Sequence, residues 1–473
     1  MSSGWIEKTL DEVCTKITDG AHRSPKSVSV GKPMSSVKDM DRFGLDLSSS
    51  RLISEEDFDS LVKEGCKPEV GDVLIAKDGN SALDTVCNVS EPIEAVLLSS
   101  VAILRPNQEL VDSDFLKYLL SAPENVEYLK RNFISGVAIP RVVLRDFKKA
   151  VFKFPELNVQ KKISAHLGVL DAKIKLNTQL NQNLEFMAQA LFKSWFVDFD
   201  PVIDNALAAG NPIPEPFQAR AQRRQQRLHE PATEGQPPLH SLPAELRQLF
   251  PDSFQETEPL GWVPKGWEVL AAADVATVTI GKTPPRKEQH WFSERPEDGY
   301  AWISIRDMGE NGVYISDSNE YLIPGAVEKF NVVKVPKGSV ILSFKLTLGR
   351  VAIASEELTT NEAIAHFYNF RKSLNEEYLY LYLSQFEYSK LGSTSSIATA
   401  INSKIVKGMP VLAPDSLILD NFKIRVESLF NRISLASNET KNLKKIRDSL
   451  LPKLLSGQLR IPDTEAQLAE VDA

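Results

Sequence analysis

The chain has 473 residues, 42% of them hydrophobic and 25% charged, a composition that fits a globular protein of two or more domains and excludes a disordered one. No apolar run reaches the roughly 18–20 residues that span a bilayer, and the opening MSSGWIEKTLDEV has early acidic residues and no apolar stretch, unlike a secretory signal. The net charge of −8 argues mildly against nucleic acid, although residues 198–260 contribute −5 of it and residues 461–473 contribute −4. Cys14, Cys66 and Cys87 lack metal-ligand spacing and read as buried or incidental thiols of a reducing cytoplasm.

In chain order, residues 1–155 are strand-rich, with β-branched runs such as Val96 to Leu104 broken by turn residues, and one short helix is expected at Ser113 to Leu120. A long helix follows over 156–197. Residues 198–260 read as a linker rich in Pro, Gln, Ala and Glu, with a short polar helix near Gln218 to Arg227. Residues 261–412 then repeat the first pattern, including a short helix at Asn375 to Leu383. A second long helix occupies 413–460, and 461–473 form an acidic tail expected to be disordered.

The repetition is visible residue by residue. Trp5 returns as Trp267, and Gly71-Asp72-Val73-Leu74-Ile75 resembles Gly338-Ser339-Val340-Ile341-Leu342. Asp114 to Ser121 likewise resembles Glu377 to Ser384. Segments in one order with offsets between 259 and 267 point to a duplicated unit, with each tryptophan anchoring a core.

Both long helices carry a heptad seam. In the first it runs through Ile163, Leu167, Leu170, Ile174, Asn177, Asn181, Leu184, Ala188, Leu191 and Trp195. An offset of 259 gives Phe422, Val426, Leu429, Ile433, Ala436, Thr440, Leu443, Arg447, Leu450 and Leu454 in the second. Arg447 is out of character there, and Ile446 is expected to take its place; Pro452 should kink or end the helix near its last turn. About eight large apolar side chains per helix, at roughly 1.5–3 kcal/mol each, have to be buried. The simplest partner is the other helix, laid antiparallel in a rod of about 60 Å. Asn177 and Asn181 either fix its register or mark a solvated stretch. The expected fold is α+β: two pseudo-repeated globules separated by a long antiparallel two-helix coiled coil.

Catalytic signatures are missing. There is no G-x-G-x-x-G, no Asn- or Asp-Pro-Pro-Tyr/Phe and no H-E-x-x-H. Gly281-Lys282-Thr283 imitates a phosphate loop, but Ala276 stands where its first glycine should be, and Pro284-Pro285 would block the helix that has to follow.

Several strings resemble a known family. Ile139-Pro140-Arg141-Val142-Val143-Leu144, Phe154 to Ile163, Leu170-Asp171-Ala172-Lys173-Ile174 and Leu191 to Pro201 are similar to the central conserved region of the specificity subunits of type I restriction–modification enzymes. Leu249 to Phe254 and Gly261 to Trp267 look like the approach to the second target-recognition domain, and Leu450 to Arg460 like the carboxy-terminal conserved helix. Two departures stand out. Val159-Gln160 replaces the usual Glu-Gln, and Pro414 to Asn421 has neither, so docking at the two helix starts is expected to be asymmetric.

The resemblance implies a non-catalytic, cytoplasmic subunit of bacteria or archaea. Each globule would read one half of a bipartite, asymmetric site in double-stranded DNA, with the coiled coil setting the gap between the halves. Two modification subunits would bring S-adenosylmethionine and methylate adenine N6. Two restriction subunits would bring ATP and Mg²⁺, and this chain would bind no cofactor or metal. The candidate DNA-contacting residues come from general chemistry: Thr18, Asp19, Gly20, His22, Arg23, Ser24, Lys77, Asp78, Gly79 and Asn80 in the first globule. In the second they are Gly281, Lys282, Thr283, Arg286, Lys287, Lys345, Thr347 and Arg350. The glycines are read as letting backbone approach the ligand. Alternative readings are a duplicated protein-binding adaptor and a fused methyltransferase with an unrecognised donor site.

Overall fold

The computed structural model describes residues 5–79, 81–135, 140–228, 242–391 and 401–461. The chain divides into two compact units, Met1–Asn177 with Glu439–Ala473, and Thr178–Asn438. Two 40-residue helices, Leu157–Phe196 and Ser416–Leu455, run through this division, so each unit contains half of both. The fold is α+β, as expected. Among the described residues no helix is long and apolar enough to cross a membrane.

In the first unit, strands β1 (Ile6–Thr9), β2 (Cys14–Asp19), β3 (Val73–Ala76), β4 (Val86–Asn88), β5 (Val101–Pro106) and β6 (Val151–Phe154) form two sheets. The central one has the order β2-β5-β3-β4 and is antiparallel throughout; β1 pairs with β6. β3 is a continuous apolar run because both of its faces are covered. Helix Ser113–Ser121 packs on the sheet through Phe115, Leu116, Tyr118, Leu119 and Leu120. The Asp112 carboxylate caps it by accepting from the Phe115 amide at 2.9 Å.

The second unit repeats this plan. Strands β7 (Glu268–Ala271), β8 (Thr277–Ile280), β9 (Val340–Ser343), β10 (Val351–Ala354), β11 (Ile364–Tyr368) and β12 (Pro410–Ala413) give a central order β8-β11-β9-β10, extended by Tyr314–Ile315, with β7 paired to β12. The side sheets also correspond: Met34 pairs in parallel with Val96, and Trp302 with Thr359. Helix Glu376–Gln385 occupies the place of Ser113–Ser121 and is capped by Asn375. The duplication is therefore one of strand order as well as sequence.

Much of the stretch read as a linker is folded. Helices Asp200–Ala209 and Glu215–Leu228 are bound to each other by Arg220 on Asp200 and Arg224 on Asp204, while Val202, Leu246 and Phe250 join the second unit's core. The Trp195 ring meets Phe250 edge-on at 5.1 Å. Residues 229–241, most of the acidic tail, and Gly4 and Ile139 lie outside the described residues.

The long helices meet within each unit, antiparallel in both. In the first, Asn177 donates to Glu439 at 2.7 Å and Arg447 to Asp171 at 3.0 Å. In the second, Asn181 donates to Ser437 at 3.0 Å and Trp195 packs on Phe422 at 5.6 Å. Both asparagines make cross-helix bonds, as a register-fixing role requires. Ile163, Leu167, Ile174, Leu184, Trp195, Phe422, Val426, Ile433 and Leu454 are buried as expected.

Five seam positions, Leu170, Leu191, Leu429, Leu443 and Leu450, are only half-buried; Asp171, Phe192, Phe430 and Leu451 are the buried neighbours of four of them. The helices are covered by their globules as well as by each other, so the buried face is wider than a two-helix seam. Tyr118 draws Asp171 inward with a 2.8 Å hydrogen bond, and Tyr378 and Tyr382 cover Phe192. Arg447 is the buried residue and Ile446 is 47% exposed, the reverse of the expectation, because Asp171 offers the guanidinium a partner. Pro452 lies in the last turn of the helix, which ends at Leu455, where the sequence placed the stop.

Candidate nucleic-acid interface

Strand pairing gathers the candidate loops. Ala102 lies opposite Asp19, and Val101 opposite Ala76, so the segments after β2 and β3 and before β5 leave the same edge of the first central sheet. The second sheet does the same, with Ile280 opposite Ala365 and Ser343 opposite Ile364. Loops starting at Gly20 and Lys77, and at Gly281 and Phe344, therefore occupy equivalent edges of the two units.

The side chains on these edges differ in availability. In the first unit Lys77 is 5% exposed and its ammonium is held by Asp19, so its charge is spent inside the protein. Asp19 also receives His22 at 3.2 Å. Thr18 is half-buried, whereas His22, Arg23 and Ser24 are exposed. Arg23 is nevertheless engaged by Asp57, Ser60 and Glu64 at 2.8–3.2 Å. Asp78 accepts from Arg141 at 3.1 Å. Arg141 is exposed on the same edge, a contact position that its place in the Ile139-Pro140-Arg141 string does not announce. Asn80 lies outside the described residues.

In the second unit Lys282, Lys287, Lys345 and Thr347 are exposed. Arg286 makes a two-pronged pair with Glu320 at 2.7 and 2.8 Å and stacks over Phe292 and Trp302. Arg350 is half-buried and donates to the Ile305 carbonyl. Burial pushes the Glu362 carboxyl up, but the Thr283 hydroxyl, its own amide, Lys345 and Arg286 outweigh this and hold it below its usual range. His366 sits between the hydroxyls of Thr279 at 2.9 Å and Thr360 at 2.7 Å. Burial lowers it to about 3, so it is a neutral core residue.

Two of the three candidate loop glycines, Gly20 and Gly281, serve the protein's own packing, whereas a Cβ on Gly79 would meet nothing within 4 Å. A Cβ on Gly20 would lie 2.2 Å from the Leu97 carbonyl oxygen, and one on Gly281 would lie 2.1 Å from that of Asn361. Close approach is thus to a neighbouring backbone segment, not to a ligand. No helix follows Gly281-Lys282-Thr283, only a single 3₁₀ turn at Gln289–Trp291, which removes the phosphate-loop reading.

Two copies of one sheet, each presenting cations from the same edge, carry a sequence that matches the type I restriction modification DNA specificity domain over residues 2–186 and 264–423. The chain belongs to the type I restriction–modification specificity-subunit family. It is 31% identical over 378 residues to the HindI specificity subunit of Haemophilus influenzae, covering 77% of this chain and 81% of that one. It is 25% identical over 363 residues to the MjaIX specificity subunit of Methanocaldococcus jannaschii, covering 75% and 70%. In fold it is similar to the S subunit of a type I system from M. genitalium, with a TM-score of 0.51, 14% identity and 98% of each chain covered. A specificity subunit is the non-catalytic, DNA-directed member of its complex, and the adaptor reading has no support.

Proposed function

We propose that each unit reads one half of a bipartite, asymmetric DNA site through the loops at the end of its central sheet. The observation that carries this is the repetition of one edge in two copies with unlike residues: His22, Ser24 and Arg141 in one, Lys282, Lys287, Lys345 and Thr347 in the other. A repeated frame with different loop chemistry suits two different half-sites. The long helices set the gap and dock two modification subunits. Those subunits bind S-adenosylmethionine and methylate adenine N6, and two restriction subunits add ATP- and Mg²⁺-dependent translocation and cleavage. The chain itself takes no cofactor and works in a bacterial or archaeal cytoplasm.

Mapping methylated adenines with the chain and its modification subunits tests the reading. Replacing His22, Ser24 and Arg141 with Ala should relax the half-site read by the first unit and leave the other intact. Deleting one heptad from each long helix should shorten the gap by about 10 Å, roughly three base pairs. Loss of both half-sites together, or an unchanged gap, overturns it.

A further inference from the structure

Among the described residues Leu346 is the most exposed large hydrophobic side chain, at 98%. It sits in the hairpin between β9 and β10 with φ +60°, a left-handed backbone that disfavours any residue carrying a Cβ. The hairpin is held at its base. The Ser343 amide donates to the Arg350 carbonyl at 2.9 Å, and its hydroxyl donates to the Thr347 carbonyl at 2.7 Å and accepts from the Arg350 amide at 3.0 Å. Leu346 is therefore projected from a fixed loop.

The first unit has the same position with a different residue. The Lys77 amide donates to the Ser100 carbonyl at 2.8 Å, and the Phe344 amide donates to the Ala363 carbonyl at 2.9 Å. Lys77 and Phe344 are thus equivalent, and two residues further on Gly79, with φ +87°, stands where the second unit has Leu346. One copy meets the left-handed backbone with glycine. The other places a leucine there and leaves it bare in water. Folding does not explain that leucine, since glycine would relieve the backbone and remove exposed apolar surface.

We propose that Leu346 is an apolar wedge that enters the base stack of the half-site read by the second unit, with no counterpart in the first. This rests on the reading that these sheet-edge loops face DNA. The surroundings favour DNA over a protein partner: Lys345 adjoins Leu346, and Lys282 and Lys287 share its edge, whereas lysine is depleted in protein interfaces. Lysines suit phosphates, and leucine is among the side chains that pry base steps apart.

The test uses the full chain with its modification subunits and a duplex carrying the mapped site. 2-Aminopurine is placed in turn at each position of the second half-site except the methylated adenine. L346G should assemble and melt at least as well as wild type, bind that duplex at least ~10-fold more weakly, and lose one unstacking signal. L346M should keep most of both. Wild-type binding by L346G together with weakened binding by K345A would place the loop on DNA and sink the wedge. Unchanged binding by both variants would sink the DNA-facing reading as well. Weaker binding with the unstacking signal intact overturns insertion, and lost subunit assembly with intact DNA affinity makes Leu346 a protein contact instead.

Discussion

Asp171 and Arg447 face each other across the two long helices of the first unit, their charged groups 3.0 Å apart and almost wholly buried. Asp171 also holds Arg42 at 3.4 Å, Lys117 at 3.8 Å and the Tyr118 hydroxyl at 2.8 Å. The repeat offset puts Phe430 and Ala188, both buried, in the equivalent places of the second unit. One copy closes its helix pair with charge and the other with apolar contact. Removing one partner of a buried pair costs about 3–5 kcal/mol, so R447A should lose about that much in urea denaturation. D171A should lose no less, because Arg42 and Lys117 forfeit their shared anion. A double-mutant cycle should give a coupling of about 1–3 kcal/mol, and a value near zero would contradict the assignment.

The corrected seam separates substitutions that look alike in sequence. Ile174 and Leu184 are buried and Leu170 is half-buried. I174D and L184D should each abolish or severely reduce the folded yield, since a buried unpaired carboxylate adds to the lost apolar contact. L170D should still fold, with a loss of about 1–2 kcal/mol. Circular dichroism melts of the three variants decide the matter, and equal loss in all three would restore the uniform heptad.

Salt dependence counts phosphate contacts. Lys282 and Lys287 are exposed on the second unit's edge. If each meets one phosphate, its change to Ala lowers the slope of log affinity against log salt by about 1 and weakens all sequences alike. The same change at Lys77, buried on Asp19, should instead reduce stability and leave the slope unchanged. Fluorescence anisotropy over a salt series measures both.

Glu377 sets a pH dependence for the second unit. Burial, with Glu376 beside it, pushes this carboxyl from an ordinary 4.5 up to about 7, and its Oε2 is buried with no hydrogen-bond partner among the described residues. Between those values the folded state keeps a proton that the unfolded chain has released. The stabilisation is complete below about 4.5, declines as pH rises, and is gone above about 7. E377Q imitates the protonated form and should stabilise the unit at pH 8 by about 1–3 kcal/mol. Melting curves from pH 5 to 8 should be flatter for E377Q than for wild type, and parallel curves would refute this.

The duplicated frame was legible because it is written in short apolar runs and caps that recur at nearly constant offset, such as β3 and β9 or the helices capped by Asp112 and Asn375. Individual seam residues were less legible. Period alone does not say whether Leu170 or Asp171 turns inward; that depends on Arg447 and Tyr118, which lie far away in the chain. The edge loops were found as places but not as chemistry. Lys77 and Lys345 look equivalent in composition, yet Asp19 buries the first while the second stays in water. The exposure of Leu346 follows from a hairpin closed by Ser343, which no local pattern announces.

The first unit's core joins Leu10, Phe115 and Ile163 to Leu451 and Leu454. Its two pieces are separated in the chain by all of Thr178–Asn438, which makes up the second unit. During synthesis the amino-terminal piece emerges with one flank bare and waits for that whole intervening segment, roughly 13–50 s at ordinary elongation rates. The second unit is contiguous and can close first. The part of the protein made earliest is the last to be finished, and a ribosome that stalls before the final helix leaves it open to misassembly.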